Sequence, residues 1–95
     1  MDSMQTQKSP IYLKAITLRD ISDISSLKDD TKNDMILILR VTPLAQKDVE
    51  ELRKIIEELS RYVRSTGGDI ARLGEERVVV TPPSVKIWRE SYDLK

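Results

Sequence analysis

The sequence predicts an α/β sandwich in which two helices pack on one mixed β-sheet, with the element order β-α-β-α-β-β-β. Three features support this fold class: a strongly apolar stretch typical of a central strand, one long amphipathic helix, and a final third made of short strand-like segments. The chain has 95 residues, of which 39% are hydrophobic and 34% charged, so it fits one domain with one core. We expect a single domain over residues 11–95, preceded by a disordered leader over residues 1–10.

The first half of the chain predicts a strand, a short helix and a second strand. Ile11 to Thr17 is rich in residues that favour strands. Asp20 can cap a short helix, which we expect to end in a loop over the polar run from Lys28 to Asp34. Met35 to Val41 contains six apolar residues in seven with no alternation. This pattern predicts a central strand that is buried on both faces.

The clearest periodic signal is the second helix, which we expect from about Leu44 to Thr66. Thr42 and Pro43 suit its N-cap and first turn. Its apolar residues recur at steps of four and three, as one face of an amphipathic helix requires. They are Ala45, Val49, Leu52, Ile56, Leu59 and Val63. Ile55 and Tyr62 widen this apolar face.

The last third of the chain is predicted to form three strands. Asp69 to Leu73 and Glu76 to Thr81 flank a turn at Gly74 and Glu75, which is typical of a hairpin. Pro82 and Pro83 end the second of these strands. Val85 to Arg89 alternates apolar and polar residues, so we expect a short final strand there.

Several kinds of chemistry are excluded by composition. The chain has no Cys and no His, which removes disulfides, thiolate nucleophiles, zinc–thiolate sites and imidazole bases. Sixteen basic residues balance sixteen acidic ones, which argues against a strongly basic nucleic-acid binder. No segment has the roughly 18 apolar residues of a membrane span. We expect a cytoplasmic protein that is not an enzyme and needs no cofactor.

Two short motifs could hold ions, and both are better explained structurally. Asp29, Asp30 and Asp34 form an acidic cluster, but the spacing of a calcium-binding loop is missing, so we expect a solvated loop and no metal. Gly67-Gly68-Asp69 closes a helix, whereas a phosphate-binding loop opens one. We therefore expect Gly67, Gly68, Asp69 and Gly74 to be structural turn residues.

The strands carry more apolar surface than one layer of helices can cover. Met35 to Val41 and Val78 to Val80 are apolar on both faces. Either the two helices lie on opposite faces of the sheet, or they share one face and a second copy of the chain covers the other. These residues alone leave both arrangements open.

The stretch Gly67-Gly68-Asp69-Ile70-Ala71-Arg72-Leu73-Gly74, followed by Val78-Val79-Val80-Thr81-Pro82, resembles the signature of the SepF cell-division family. The preceding apolar strand and amphipathic helix, Met35 to Thr66, fall where that family places them. So does the strand that begins at Ile11. The resemblance covers about Ile11 to Trp88.

This resemblance implies a non-enzymatic adaptor of the archaeal type. Members of the family are homodimers that bind the C-terminal tail of the tubulin-like protein FtsZ and tether its filaments to the membrane at the division site. The family carries an N-terminal amphipathic helix, but Met1 to Ser9 offers only two apolar residues. We expect contact with the membrane only indirectly or through an N-terminal helix that this sequence lacks.

The resemblance also suggests a partner site, which we expect in a groove between the second helix and the strand Arg77 to Thr81. FtsZ tails are short apolar peptides with charged flanks, so the groove should be apolar with a basic rim. The expected apolar residues are Leu52, Ile55, Leu59, Val78 and Val80. Lys54 and Arg77 are expected to meet acidic residues of the peptide.

Two other functions remain open from the sequence. A small-molecule-sensing regulatory module would also be a dimeric α/β domain without catalytic residues, and thermal shifts with amino acids or nucleotides would detect it. A nucleic-acid-binding domain would show a mobility shift at moderate salt.

Overall fold

The computed structural model describes residues 10–89, which form a four-stranded sheet and three α-helices. The elements are β1 (Tyr12–Thr17), a 3-10 turn (Ile21–Asp23), α1 (Ile24–Lys32), β2 (Met35–Arg40), α2 (Thr42–Lys47), α3 (Val49–Ser65), β3 (Asp69–Leu73) and β4 (Arg77–Thr81). The predicted α/β class with a mixed sheet is confirmed. The leader expected over residues 1–10 lies, except for Pro10, outside the described residues.

The sheet has the strand order β1-β2-β4-β3. β1 pairs with β2 in parallel, as a strand–helix–strand crossover requires, whereas β4 is antiparallel to both β2 and β3. The hairpin predicted around Gly74 is confirmed as β3 and β4. β2 is an interior strand, as expected, and β1 and β3 are the two edges of the sheet.

All three helices lie on the same face of the sheet. Alternate residues of each strand face one side, and on β2 and β4 the buried apolar side chains are Leu37, Leu39, Val78 and Val80. These side chains belong to one core with buried residues of the helices, namely Ile24, Leu27, Leu44, Ile55, Leu59 and Val63. The arrangement with helices on opposite faces is therefore excluded. The expectation that β2 is buried on both faces is wrong within one chain, because Ile36 and Ile38 on the other face stay half-exposed.

The first helix is longer than the sequence predicted. The polar run that was expected to be a loop continues α1 to Lys32, because its polar groups find partners along the helix and on α3. Lys28 forms an ion pair of 2.9 Å with Glu58 on α3 and lies 5.2 Å from the centre of the Tyr62 ring. The buried Thr31 hydroxyl donates to the Lys28 carbonyl. Asp29 and Asp30 consequently lie on a helix and do not form a loop cluster with Asp34.

The second predicted helix is two helices, divided at Asp48. The backbone of Asp48 is extended, with φ −161° and ψ 95°. Its N–H closes α2 by donating to the Leu44 carbonyl at 2.8 Å, and its carboxylate caps α3 by accepting from the Glu51 N–H at 3.1 Å. An aspartate that satisfies backbone groups on both sides makes a stable break between helices. Thr42 is the first residue of α2, and Val41 takes the N-cap position.

Gly67 and Gly68 end α3 for two different reasons. Gly67 has φ +91°, a conformation that side chains disfavour. The N–H of Gly67 donates to Arg64, and that of Gly68 donates to Val63, which is the Schellman arrangement of a helix end. A Cβ on Gly68 would overlap the Thr81 carbonyl oxygen. Gly68 therefore lets the chain pass close to β4 before β3 begins.

The predicted final strand, Val85 to Arg89, does not form. Its alternation of burial is present, since Val85 and Ile87 are half-buried while Lys86 and Trp88 are exposed. However, the outward backbone groups of Ile70 on β3, with which such a strand could pair, are bound by side chains. The Ile70 N–H donates to the Asp69 carboxylate at 2.9 Å, and the Ile70 carbonyl accepts from Arg89 at 3.1 Å. A side-chain clasp thus replaces the expected backbone ladder.

This clasp, formed by Asp69 and Arg89, holds the C-terminal segment against the start of β3. The two side chains form an ion pair of 2.9 Å, and the Asp69 carboxylate also accepts from the Ile87 N–H. The hydrogen bond from Arg89 and the backbone N–H groups hold the pKa of Asp69 below its usual value, although partial burial opposes the shift. Asp69 is therefore more than a turn residue, because it anchors a segment eighteen and more residues further along the chain.

Replacing Gly68 with Ala should destabilise the protein by about 3 kcal/mol, because the new Cβ overlaps a backbone oxygen that cannot move without shifting β4. Gly74→Ala is the control, since Gly74 has φ +77° but open space around it, and should cost about 1 kcal/mol. Urea denaturation measures both values. Equal losses in the two variants would show that the close approach at Gly68 is unimportant.

The clasp should make stability depend on pH through Asp69. The pKa of Asp69 is lower in the folded protein than in the unfolded chain. Its carboxylate therefore stabilises the fold above the unfolded pKa of about 4, and this stabilisation is lost as pH falls through the folded pKa. Asp69→Asn removes the charge, so wild type should be more stable at pH 7, and the difference should narrow in acid. The measurement is the free energy of unfolding of both proteins between pH 7 and the acid limit of folding. A difference that stays constant would contradict this role.

Candidate functional site

A groove with a volume of about 460 Å³ lies between α3 and β3, on the helix side of the sheet. Helix α3 forms one wall, and the edge strand β3 forms the other. The lining residues with apolar side chains are Val41, Val49, Leu52, Ile56, Ile70, Ala71 and Val78. Polar and charged residues, namely Arg53, Glu57, Ser60, Arg64 and Arg72, complete the lining. An apolar floor with a charged margin is typical of sites that bind an organic ligand or a peptide.

The wall formed by α3 exists because two neighbouring rows of apolar side chains run along this helix. Ile55, Leu59 and Val63 repeat at intervals of four and are buried against the sheet. Leu52 and Ile56 form the next row around the helix, pack against the edge of the core and stay half-exposed. The second row therefore faces the groove.

The opposite wall is formed by consecutive residues of β3. Ile70, Ala71 and Arg72 all line the groove, although side chains alternate between the two faces of a strand. A wall that includes three successive residues must present backbone as well as side chains. This is possible because no further strand covers the outer edge of β3 among residues 10–89.

The margin of the groove carries three arginines and one glutamate. The Arg53 guanidinium lies 3.7 Å from the Glu50 carboxylate. This exposed ion pair contributes little to stability, because both groups are solvated. The Arg72 guanidinium donates to the Glu75 carbonyl at 3.2 Å, so the hairpin turn steadies it beside the groove. The excess of guanidinium groups favours a ligand with carboxylates.

Only two of the expected partner-binding residues line this groove, Leu52 on α3 and Val78 on β4. Ile55, Leu59 and Val80 are fully buried in the core, with no exposed surface to offer a partner. Their role in the structure is to hold α3 on the sheet beneath the groove.

The two expected basic residues also lie away from the groove lining. Lys54 is exposed on α3. Arg77 begins β4 and lies on the other face of the sheet, because its neighbour Val78 faces the helices. The arginines at positions 53, 64 and 72 supply the basic margin instead.

Sequence reasoning missed several groove residues that carried a partial signal. Val49 and Ile56 belong to the predicted apolar face of the helix, but spacing alone does not divide that face into a buried row and a groove row. Arg53 and Arg64 are eleven residues apart, three turns of the same helix. Arg72 becomes part of the site only through the packing of β3 beside α3.

Among residues 10–89, no group of three acidic side chains comes together to hold a metal ion. Within the same residues, every helix is too short or too polar to cross a membrane.

A family model described as cell division protein SepF matches residues 13–87. A curated relative, the cell division protein SepF of Haloferax volcanii, is 28% identical over 71 residues. That match spans 75% of this chain but 59% of the relative, so the chain corresponds to less than two thirds of that protein.

Solved structures share the fold. A SepF-like protein from Pyrococcus furiosus superposes with a TM-score of 0.77 and 31% identity, covering 86% of this chain and 99% of that one. A SepF-like protein from Archaeoglobus fulgidus superposes with a TM-score of 0.76 and 22% identity, covering 82% of this chain and 93% of that one. Cell division protein SepF from Methanobrevibacter smithii, solved in complex with FtsZ-CTD, superposes with a TM-score of 0.69 and 20% identity, covering 83% of this chain and 99% of that one. At identities of 22% and 20%, the last two establish the fold alone.

The family model extends from the second residue of β1 to the C-terminal segment beside β3, and it includes the whole groove. This chain therefore belongs to the SepF family of cell division proteins.

Proposed function

We propose that this protein is a non-enzymatic cell-division adaptor, which forms a homodimer, binds the C-terminal tail of FtsZ and helps to tether FtsZ filaments to the membrane at the division site. The observation that carries the proposal is the groove between α3 and β3, with its apolar floor and arginine-rich margin. The SepF of Methanobrevibacter smithii, which has the same fold, was solved in complex with FtsZ-CTD. That complex supports a tail peptide as the ligand.

The dimensions and charges of the groove suit a short peptide. A volume of about 460 Å³ accommodates a few apolar side chains, and Val49, Leu52 and Ile56 provide exposed or half-exposed apolar surface to receive them. Arginines at the margin can pair with acidic residues on either side of the apolar segment. A site of this size depends on a few anchoring side chains.

The face of the sheet opposite the helices supports homodimer formation. Ala15, Ile38, Val79 and Ala71 form a row across all four strands, since they are paired in register. Leu13 and Leu73 on the same face are 63% and 53% exposed. An apolar sheet face of this extent is stabilised by a partner, and a second copy presents a surface of the same shape and chemistry.

The tethering step requires a link between this domain and the lipid surface. We propose that this link is an N-terminal amphipathic helix or another membrane-bound protein. The adaptor then acts in the cytoplasm, at the inner face of the membrane.

Arg53→Glu should weaken binding of an FtsZ C-terminal peptide by about tenfold, because it replaces a cation at the groove margin with an anion. Lys54→Glu makes the same change of charge at the next residue, which lies outside the groove lining, and should change affinity less than about twofold at 0.15 M salt. Isothermal titration calorimetry with wild type and both variants is the measurement. A larger loss in Lys54→Glu would place the peptide on the face of α3 that the sequence suggested.

Val79→Asp should convert the dimer into a monomer that remains folded. Val79 lies at the centre of the open sheet face, whereas the core lies on the other side of the sheet. A charge there would be buried without a partner in the dimer, at a cost of about 2 kcal/mol or more per copy. Light scattering at micromolar concentration distinguishes the two states, and circular dichroism checks the fold. A wild-type protein that is monomeric in this assay would refute the dimer.

A further inference from the structure

We infer that the partner peptide is bound as an added β-strand on the outer edge of β3, with the backbone of Arg72 as its pairing residue. This inference rests on the proposed function, since it specifies how the FtsZ tail occupies the groove. Strand addition gives affinity through backbone hydrogen bonds, while pockets for alternate side chains give selectivity.

The direction of the β3 backbone groups can be read from the clasp. In an antiparallel ladder, successive residues point their N–H and C=O groups alternately toward and away from the paired strand. The Ile70 carbonyl accepts a hydrogen bond from Arg89, which lies on the outer side of β3, so the backbone groups of Ile70 point away from β4. The backbone groups of Arg72, two residues further on, also point away from β4, whereas those of Ala71 between them point toward β4.

The outward groups of Ile70 and Arg72 differ in what surrounds them. At Ile70 the N–H is bound by Asp69 and the carbonyl by Arg89, so this position is already satisfied. Arg72 lies beyond the clasp, still within β3 and within the groove lining. Within residues 10–89 no strand pairs with the outer edge of β3 at Arg72, and unpaired backbone groups on an edge strand are a template for another strand. The clasp thereby fixes where pairing starts.

The groove is placed to receive the side chains of a strand added at this position. In an extended peptide, every second side chain points to the same side. When the peptide backbone pairs with Arg72, one set of peptide side chains faces Leu52 and Ile56 on α3, and the other set faces solvent. Arg64 and Arg72 at the margin favour carboxylates on the peptide, which commits the site to an acidic, extended segment with alternating apolar residues.

Arg72→Pro tests the backbone contact, and Arg72→Ala is its matched control. Both variants lose the guanidinium, but only proline also removes the outward N–H. Proline is tolerated on an edge strand when that N–H faces away from the sheet. The full chain is titrated with the FtsZ C-terminal peptide by calorimetry. Arg72→Ala should bind a few-fold more weakly than wild type, and Arg72→Pro should bind at least about tenfold more weakly than Arg72→Ala.

Hydrogen exchange of wild-type amides provides a readout that does not depend on the proline variant folding. The Arg72 N–H should exchange freely without peptide and become protected at saturation, whereas the Ala71 N–H should be protected in both states. Equal affinities for the two variants, or an Arg72 amide that stays unprotected in the complex, would overturn the inference while leaving peptide binding intact. Failure of wild type to bind the peptide would overturn the proposed function and this binding mode together.

Discussion

The packing of α3 on one face of the sheet is the interaction on which the other features of this domain depend. Ile55, Leu59 and Val63 are buried against strands that present Leu37, Leu39, Val78 and Val80 to the same side. Within residues 10–89, the helices cover one face of the sheet, and the hydrophobic core lies there. The other face keeps apolar residues at its surface, and this asymmetry underlies the proposed dimer.

The helix end at Gly67 and Gly68 joins that packing to the edge of the sheet. Gly67 provides the reversed conformation, Gly68 allows the close approach to Thr81, and Asp69 binds the C-terminal segment. Three adjacent residues thus determine how α3 leads into β3, how near β3 lies to β4, and where the outer edge of β3 is covered. The groove is the space between α3 and the part of that edge with which no other strand of residues 10–89 pairs. The Gly-Gly-Asp motif therefore contributes to the shape of the groove that we propose as the binding site.

The apolar side of α3 is divided into a buried row and a groove row, which explains why the sequence indicated a groove beside this helix but some of the expected residues belong to the core. The opposite wall was expected on β4, whereas β3 forms it. An amphipathic pattern shows that one side of a helix is apolar, but two adjacent rows satisfy the same spacing. The spacing placed Ile55 beside the apolar face, but Ile55 is fully buried, whereas Val49 belonged to the predicted face and is 54% exposed. Val49 is the first residue of α3, directly after the break at Asp48.

Local patterns in the sequence were sufficient to predict the α/β class with a mixed sheet, the interior position of β2 and the β3–β4 hairpin. These features follow from local patterns of apolar residues and from turn residues, which act over a few positions in the chain. The packed structure was needed to establish which face the helices share, which row of α3 is core, and that Val85 to Arg89 is held by side chains and not by a backbone ladder. Those outcomes depend on contacts between residues far apart in the chain, such as Asp69 with Arg89 and Lys28 with Glu58, and a local pattern contains no information about them.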